Sequence, residues 1–251
     1  MFKFLRRIRQ NVLSEGETGK YLTYAFGEIV LVVIGILIAL QINNWNEERK
    51  TTEQLHGYLS GLSKNIQSDT LKINQVKALR IRQNIAAADY INYTYLDSMP
   101  MNLVPRIVRI LGEQYLNVNQ SGFDALKSSG YIANLKGKRL EDAIFDYYAY
   151  FEEIHESEIS LNNFIENMEA GLYDGRYKDI VIVYKVFGSS KAPHEFSKKD
   201  QEKALEQIYQ NSKMLGIMQR VATEKYFYVY DSLKIKGQRI VKLIEEEKTN
   251  D

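Results

Sequence analysis

The chain contains 251 residues, with 33 Lys and Arg, 32 Asp and Glu and no cysteine, which gives a formal net charge of +1. Because general polyanion binders carry a large basic excess, this balance argues against them, and no nucleic-acid partner is expected. The lack of cysteine excludes disulfides, thiolate nucleophiles and cysteine-bound zinc, and the low count of three prolines favours long helices over a turn-rich β fold.

An apolar segment near the N-terminus is the clearest pattern in the chain. Residues 21–42 contain Glu28 as their only formal charge, and residues 29–40 form an unbroken apolar run. As an α-helix these 22 residues would be about 33 Å long, slightly more than the roughly 30 Å hydrocarbon core of a bilayer. The segment is therefore predicted to cross a membrane, which makes the lipid bilayer its first expected partner.

Aromatic residues at both ends favour a membrane-spanning helix over a helix buried in a protein core. Tyr21 and Tyr24 lie at one end and Trp45 at the other, as expected of residues that anchor a helix at the two membrane interfaces. Residues 40–45 lack the small-x-small pattern of a signal-peptide cleavage site. We predict an uncleaved signal anchor with its transmembrane helix over 21–44.

The distribution of basic residues predicts the orientation of this helix. Five basic residues precede the segment: Lys3, Arg6, Arg7, Arg9 and Lys20. On the other side, Arg49 and Lys50 are the only basic residues before Lys64. Because basic flanks stay on the cytoplasmic side, the N-terminus is predicted to be cytoplasmic. Residues 45–251 are then exported, into the periplasm if the membrane is a bacterial inner membrane.

Residues 1–20 form a basic segment on the predicted cytoplasmic side. Between residues 2 and 13 the apolar side chains recur at helical spacing, and basic ones fall mostly on the opposite face. This pattern is typical of an amphipathic helix on an anionic membrane surface. A charged flank with incidental apolar residues explains the same composition, so both interpretations stay open.

One stripe of the predicted transmembrane helix differs from the rest. Glu28, Gly35, Ala39 and Ile42 lie within about 40° of one line when residues are spaced about 100° apart. Gly35 and Ala39 form a small-x-x-x-small pattern that permits close helix approach, and a carboxylate on this face avoids lipid. We predict a helix-association seam and hence a homo-oligomer. The alternatives are that Glu28 reaches the headgroups alone, or that it belongs to a proton or ion path.

Residues 45–251 are predicted to form an all-α domain, an elongated extracytoplasmic helical bundle that continues from the transmembrane helix. No proline or glycine follows Trp45 until Gly57. Apolar residues then recur at spacings of three, four or seven, which predicts one amphipathic helix over about 45–97.

Shorter helices are predicted next. Pro105 suits the first turn of a helix over 103–117. Ser121 is expected to cap a helix that ends at Ser128, with Gly130 just beyond it.

The remaining sequence predicts two longer helical stretches. One covers about 137–172, and another begins after Ser197, which is expected to cap it, and continues to a fraying tail at 245–251. Between them, the β-branched run 180–187 fits either a strand or a helix end with an apolar loop.

Tyrosine is abundant, with 18 residues, and two clusters stand out. Neighbouring residues cannot all point the same way on a helix, so some of these rings should reach the surface. Tyr147, Tyr150, Tyr226 and Tyr230 are therefore candidates for a partner surface or ligand pocket. A core in which the hydroxyls find partners or water is the simpler interpretation of most of them.

A family resemblance is carried mainly by a short stretch near the N-terminus, within residues 19–46. It rests on Gly27-Glu28-Ile29 and on the run Gly35-Ile36-Leu37-Ile38-Ala39-Leu40-Gln41-Ile42-Asn43-Asn44-Trp45-Asn46, with Leu126-Lys127-Ser128-Ser129-Gly130 further on. These residues resemble a bacterial membrane-protein family known only as a domain of unknown function. The resemblance implies a single-pass, helical envelope protein and supplies neither a reaction nor site residues.

No catalytic, cofactor-binding or metal-binding residues are predicted. Glu152 and His155 match half of a Glu-x-x-His di-metal motif, but a solvated acidic face explains them better. No hydrolase elbow or zinc-protease motif occurs. An enzyme, metal-dependent or hydrolytic, is therefore the least favoured class.

Together these patterns predict a membrane-anchored structural or interaction protein. It would self-associate as a scaffold or serve as an accessory subunit with an envelope protein partner. The alternative is an extracytoplasmic ligand sensor, which would need a partner to relay its signal because only the short segment 1–20 is expected in the cytoplasm.

Overall fold

The structure, a computed structural model, describes residues 18–96, 100–171, 195–225 and 227–250. Within these ranges all regular secondary structure is helical, with seven α-helices and two short 3₁₀ segments. The predicted all-α fold class is confirmed for this part of the chain. The predictions for residues 2–13 and 180–187 lie outside the described residues.

The helices are numbered α1 to α7 in chain order. Two are long: α1 (Thr18–Tyr95) has 78 residues and α4 (Arg139–Ala170) has 32. The others are α2 (Val104–Val108), α3 (Ser121–Ser128), α5 (Lys198–Tyr209), α6 (Ser212–Thr223) and α7 (Tyr228–Asn250). The 3₁₀ segments are Met101–Leu103 and Tyr131–Leu135. The chain divides into two compact units, Met1–His56 and Gly57–Asp251.

In the first unit the described residues all belong to α1. Residues 43–56 contain neither glycine nor proline, and Arg49 pairs with Glu53 one turn later. Such pairs add a few tenths of a kcal/mol to an exposed helix. The prediction that the helix continues beyond residue 45 is confirmed, because α1 ends only at Tyr95.

The second unit has an extensive apolar core, to which all seven helices contribute buried side chains. In it α4 packs mainly against α7 and α6. Five helices contribute buried side chains to one cluster: Tyr90 of α1, Ile107 of α2, Ile165 of α4, Ile208 of α5 and Ile217 of α6. The Tyr90 hydroxyl donates to the carbonyl of Ile208 at 2.8 Å, so this large side chain is buried without a stranded polar atom.

The helix predicted over 103–117 is wrong beyond residue 108. As predicted, α2 has Pro105 in its first turn, but it ends at Val108. The chain then turns near Gly112, and residues 113–120 are irregular. Side chains from distant helices bond their backbone groups, which removes the need for helical hydrogen bonds there.

Helix ends were predicted with mixed success. Ser197 caps α5 as expected, since its hydroxyl accepts from the N–H of Asp200 at 3.1 Å. Gly130 follows α3 with φ 77°, the left-handed conformation expected after a helix. The cap predicted for Ser121 is wrong: it is the first residue of α3, and its N–H donates to the side chain of Asn119 at 3.1 Å.

The C-terminal part departs from the prediction of one long helix. Asn211 interrupts it, because its side chain accepts from the N–H groups of Lys213 and Met214, both at 3.0 Å, and so caps α6. The tail predicted to fray at 245–251 is helical to residue 250, where Glu247 pairs with Lys138 at the start of α4.

Close packing of α3 on α1 depends on a glycine. A Cβ added at Gly122 would lie 2.9 Å from Leu62 Cα and 3.0 Å from Leu62 N. Those are backbone atoms, so neither a rotamer change nor a flexible side chain can relieve the clash. Gly122 therefore sets how near α3 comes to α1.

Gly122→Ala is expected to lower the free energy of unfolding by about 1–3 kcal/mol, because the methyl group overpacks this contact. The matched control is Gly57→Ala, where an added Cβ meets no described atom within 4 Å. That change should raise stability by about 0.5–1 kcal/mol, since alanine is the better helix former. Denaturant unfolding of the full chain in one detergent, followed by circular dichroism, measures both. A Gly122→Ala midpoint at or above that of the parent would contradict the close approach.

Candidate functional site

The first candidate site is the apolar part of α1, here called the apolar helix surface (residues 22–42). Its most apolar 18-residue window has a mean hydropathy of 2.5, and none of that window is buried within the described structure. Leu31 is 71% exposed and Phe26 69%. By length and composition, this helix is long and apolar enough to cross a membrane.

The predicted association seam lies on the apolar helix surface. Glu28, Gly35, Ala39 and Ile42 are all exposed. A Cβ added at Gly35 would meet no described atom within 4 Å, so packing within the described chain does not require glycine there. A glycine in a helix costs about 1 kcal/mol relative to alanine. What its small size does provide is room for a second helix.

Two of the predicted interface anchors are exposed at the ends of this surface. Tyr24 is 62% exposed and Trp45 63%. The guanidinium of Arg49 lies 6.0 Å from the centre of the Trp45 ring, at the outer limit of a cation–π contact. The side chain of Tyr21 lies outside the described part of the structure.

The second candidate site is a group of buried polar side chains in the Gly57–Asp251 unit, here called the buried polar network. It consists of Asp69, Arg80, Gln83, Glu158 and Asn162, each at most 8% exposed. The first three belong to α1 and the last two to α4. All five form hydrogen bonds with the backbone of residues 109–120, the irregular chain between α2 and α3.

The side-chain amide of Asn162 forms two hydrogen bonds with the backbone of Gln114, as a peptide group of a neighbouring strand would. Its Nδ2 donates to the carbonyl of Gln114 at 2.9 Å, and its Oδ1 accepts from the Gln114 N–H at 3.5 Å. The same carbonyl accepts from Arg80 Nη2 at 2.6 Å. Nearby, Gln83 Nε2 donates to the carbonyl of Arg109 at 3.2 Å. Helices α1 and α4 thus hold this loop from both sides.

Glu158 links the loop to α7. Its Oε2 accepts from the N–H of Leu116 at 2.7 Å, and its Oε1 accepts from the Tyr230 hydroxyl at 2.7 Å. Burial, together with the charge of Glu158, raises the pKa of Tyr230 above its ordinary value, although the charge of Arg80 opposes this. Tyr230 therefore keeps its proton and stays a hydrogen-bond donor throughout the physiological range.

Asp69 holds the far end of the loop. Its Oδ1 and Oδ2 accept from the N–H of Asn119 at 3.0 and 2.9 Å. Lys72 Nζ lies 3.5 Å from the same Oδ1. Burial raises the pKa of Asp69, against the opposing effects of Asn119 and Lys72. The pKa of Asp69 is therefore higher in the folded state than in the unfolded state. As the pH rises from the unfolded-state pKa to the folded-state pKa, the contribution of Asp69 to the free energy of unfolding falls.

A cavity of about 340 Å³ adjoins the buried polar network, here called the α4–α7 cavity. Arg80, Glu158 and Tyr230 of the network and its partners contribute to its lining, together with Tyr150 and Arg220. This volume is within the range of small-molecule sites, and charges of both signs beside aromatic rings suit a small polar ligand with an apolar part.

The four tyrosines predicted as a partner surface do not share one environment. Tyr147 and Tyr230 are only 0% and 5% exposed, so their assignment to a surface is corrected: both belong to the core. Tyr150 is half-buried, and it lines the α4–α7 cavity, as Tyr230 also does. Tyr150 lies about 60° around α4 from Tyr147, nearer the edge of the buried face, which explains the different environments. Tyr226 lies outside the described residues.

The Glu152 and His155 pair takes part in ordinary local contacts. The His155 ring stacks on Phe151 with centroids 5.7 Å apart, and Glu152 accepts a hydrogen bond from Gln120 at 3.3 Å. Glu152 thus links α4 to the loop that precedes α3, whereas His155 is held by ring packing and its Nδ1 is buried without a hydrogen-bond partner among the described residues.

The buried polar network was not predicted from the sequence, although the sequence carries a partial signal for it. Glu158 and Asn162 are four residues apart and fall within the apolar stripe of α4, between Ile154 and Ile165. Polar residues at core positions need internal partners, which marks such a stripe as unusual. The partners themselves, backbone groups 42 and 48 residues away, have no sequence signal.

Comparison with known proteins gives one informative result. A model of DUF6090, a family of unknown function, matches residues 28–170, more than half of the chain. The matched region includes most of the apolar helix surface and all of the buried polar network. No curated protein and no solved structure matches the chain. The expected link to a family of unknown function is confirmed, whereas a bacterial and membrane origin stays a prediction.

Glu158→Ala is expected to lower the free energy of unfolding by about 2–5 kcal/mol, because it leaves the Leu116 N–H and the Tyr230 hydroxyl buried without an acceptor. Glu156→Ala, at an exposed position of the same helix, should change it by less than about 0.5 kcal/mol. Chemical unfolding of both full-length variants in the same detergent tests this. Equal midpoints for the two variants would show that the Glu158 hydrogen bonds add nothing.

Proposed function

Because the chain belongs to DUF6090, a family of unknown function, its role has to be inferred from its own residues, and we propose that it is a membrane-anchored protein that self-associates through α1. In this proposal it works by binding rather than by catalysis. It serves as a scaffold or as an accessory subunit of a bacterial envelope complex.

The observation that carries the proposal is the exposure of the apolar helix surface. An apolar helix of this length, with side chains 38–71% exposed, is unstable in water unless lipid or protein covers it. Lipid is an equally good environment for the large apolar side chains on all faces of such a helix. The face with Gly35 and Ala39 is different, because small residues gain more from contact with another helix than from contact with lipid.

Glu28 gives the seam a second reason to meet protein. A carboxylate facing hydrocarbon costs several kcal/mol, and burial between helices lets it pair or retain a proton. It shares a face with Gly35 and Ala39, so one helix contact covers all three residues. A shared contact explains why a charge and two small residues occur on the same line of an otherwise apolar helix.

The orientation proposed for the chain follows from its flanking charges. Five basic residues precede residue 21, whereas only two lie between Ile42 and Lys64, so the N-terminal flank belongs in the cytoplasm. Residues 45–251 then lie in the periplasm. The helical domain would meet its envelope partners there.

A ligand sensor is the second candidate function. The α4–α7 cavity favours it, because Arg80 and Glu158 adjoin it and also fix the loop between α2 and α3, while Tyr230 in the same lining donates to Glu158. A ligand that drew hydrogen bonds away from these residues would release that loop. The change would be read by a partner protein.

The Gly35→Leu variant is expected to reduce self-association, because the added side chain separates the two helix backbones. Gly27→Leu is the matched control: it makes the same change about 80° away around the helix. The mass of the detergent-extracted complex, with every chain in it identified, measures the effect. If parent and Gly35→Leu give the same oligomer, or if Gly27→Leu disrupts it equally, the seam is refuted.

The absence of cysteine makes the orientation directly measurable. Lys198→Cys introduces the sole thiol at a side chain that is 91% exposed. It is expected to react with a membrane-impermeant thiol reagent in intact spheroplasts, whereas Ser14→Cys should react only after lysis. The opposite pattern would reverse the proposed orientation.

A further inference from the structure

A second cavity of the Gly57–Asp251 unit, of about 640 Å³, is lined by α1, by α2 and by the irregular chain that follows α2. Its lining is distinct from that of the α4–α7 cavity. Three arginines and three aliphatic side chains contribute to it and are here called the Arg-rimmed groove: Leu79, Arg82, Ile85, Arg106, Val108 and Arg109.

The aliphatic part of the Arg-rimmed groove is open to solvent. Leu79 is 37% exposed, Ile85 49% and Val108 39%. Single exposed aliphatic residues are ordinary, but here three meet in one concavity, contributed by two separate segments of the chain. A concave apolar surface of this kind is typical of a binding site.

The charge of the groove is positive. Arg106 is paired with Asp89 at 2.8 Å. Arg82 and Arg109 have no acidic partner among the described residues, and none of the described residues that line the groove is acidic. Two uncompensated guanidinium groups beside an apolar wall complement a ligand that is anionic at one end and apolar at the other.

The buried polar network holds the groove in shape. Gln83 donates to the carbonyl of Arg109 at 3.2 Å, and Arg80 donates to the carbonyl of Gln114 at 2.6 Å. These bonds fix the chain that forms one wall against α1, which forms the other. A preformed site of this kind binds its ligand with little reorganisation.

We propose that the Arg-rimmed groove binds a phosphate-headed lipid, with the phosphate on Arg82 and Arg109 and part of an acyl chain against Leu79, Ile85 and Val108. Guanidinium groups bind phosphate oxygens in a bidentate manner. The apolar patch on α1 is short, because Leu79 and Ile85 lie about 9 Å apart along the helix axis and about 120° apart around it, with Arg82 between them. It suits one acyl chain better than an acidic partner helix, which spreads its anchors over two turns, about 11 Å.

Lysophosphatidic acid tests the proposal, with lysophosphatidylcholine of the same acyl chain as the zwitterionic control. Both are titrated onto the full chain in a nonionic detergent, and bound lipid is counted by native mass spectrometry. The parent should prefer lysophosphatidic acid by more than tenfold. The double variant Arg82→Gln/Arg109→Gln should lose this preference, whereas Arg139→Gln/Arg239→Gln, at exposed positions elsewhere, should keep it.

The apolar wall is tested by Ile85→Asn, which should weaken binding of lysophosphatidic acid several-fold without unfolding the chain, because Ile85 is exposed. Equal binding of the two lipids, or equal binding by parent and Arg82→Gln/Arg109→Gln, would overturn the proposal. Displacement of the lipid by an equal concentration of inorganic phosphate would show that the apolar wall contributes nothing. Arginine-dependent binding of an acidic amphipathic peptide without any lipid preference would assign the groove to a protein partner instead.

Discussion

The N–H and carbonyl groups of residues 109–120 are not paired within a helix or a strand. The five side chains of the buried polar network form hydrogen bonds with several of these groups instead. Leu116 is 0% exposed, so its N–H has to find an acceptor within the protein. Each backbone group left unpaired there would cost about 1–3 kcal/mol. Since the five side chains come from α1 and α4, this one requirement also fixes the register of the two helices within the second unit.

The same constraint shapes both cavities of that unit. Arg80 adjoins the α4–α7 cavity, while its bond to Gln114 secures the loop wall of the Arg-rimmed groove. Gln83, about one turn further along α1, anchors that wall at Arg109. A change of hydrogen bonding at one cavity is therefore structurally connected to the other through Arg80. Buried polar groups of this kind favour one unique arrangement over several, even when they add little net stability.

Sequence patterns predicted the elements that depend on local chemistry. The long helices α1 and α4 follow from apolar periodicity, and the cap at Ser197 from its hydroxyl and Asp200. The helix predicted over 103–117 failed because its outcome is decided by side chains far away: Glu158 reaches Leu116 across 42 residues and Asp69 reaches Asn119 across 50. The assignment of Tyr147 and Tyr230 to a surface failed for a related reason, since composition does not tell which ring faces the core.

Glycines show how much the sequence leaves undecided. Gly122 and Gly237 are required by the chain itself, because an added Cβ would come within 2.9 Å of Leu62 Cα in one case and 2.8 Å of an Ile66 methyl group in the other. Gly35 meets no described atom, yet it weakens the helix that contains it. In the sequence these residues look alike, as glycines within helical patterns. Only the contacts separate the glycines that the described fold requires from those, such as Gly27, Gly35 and Gly57, that it does not.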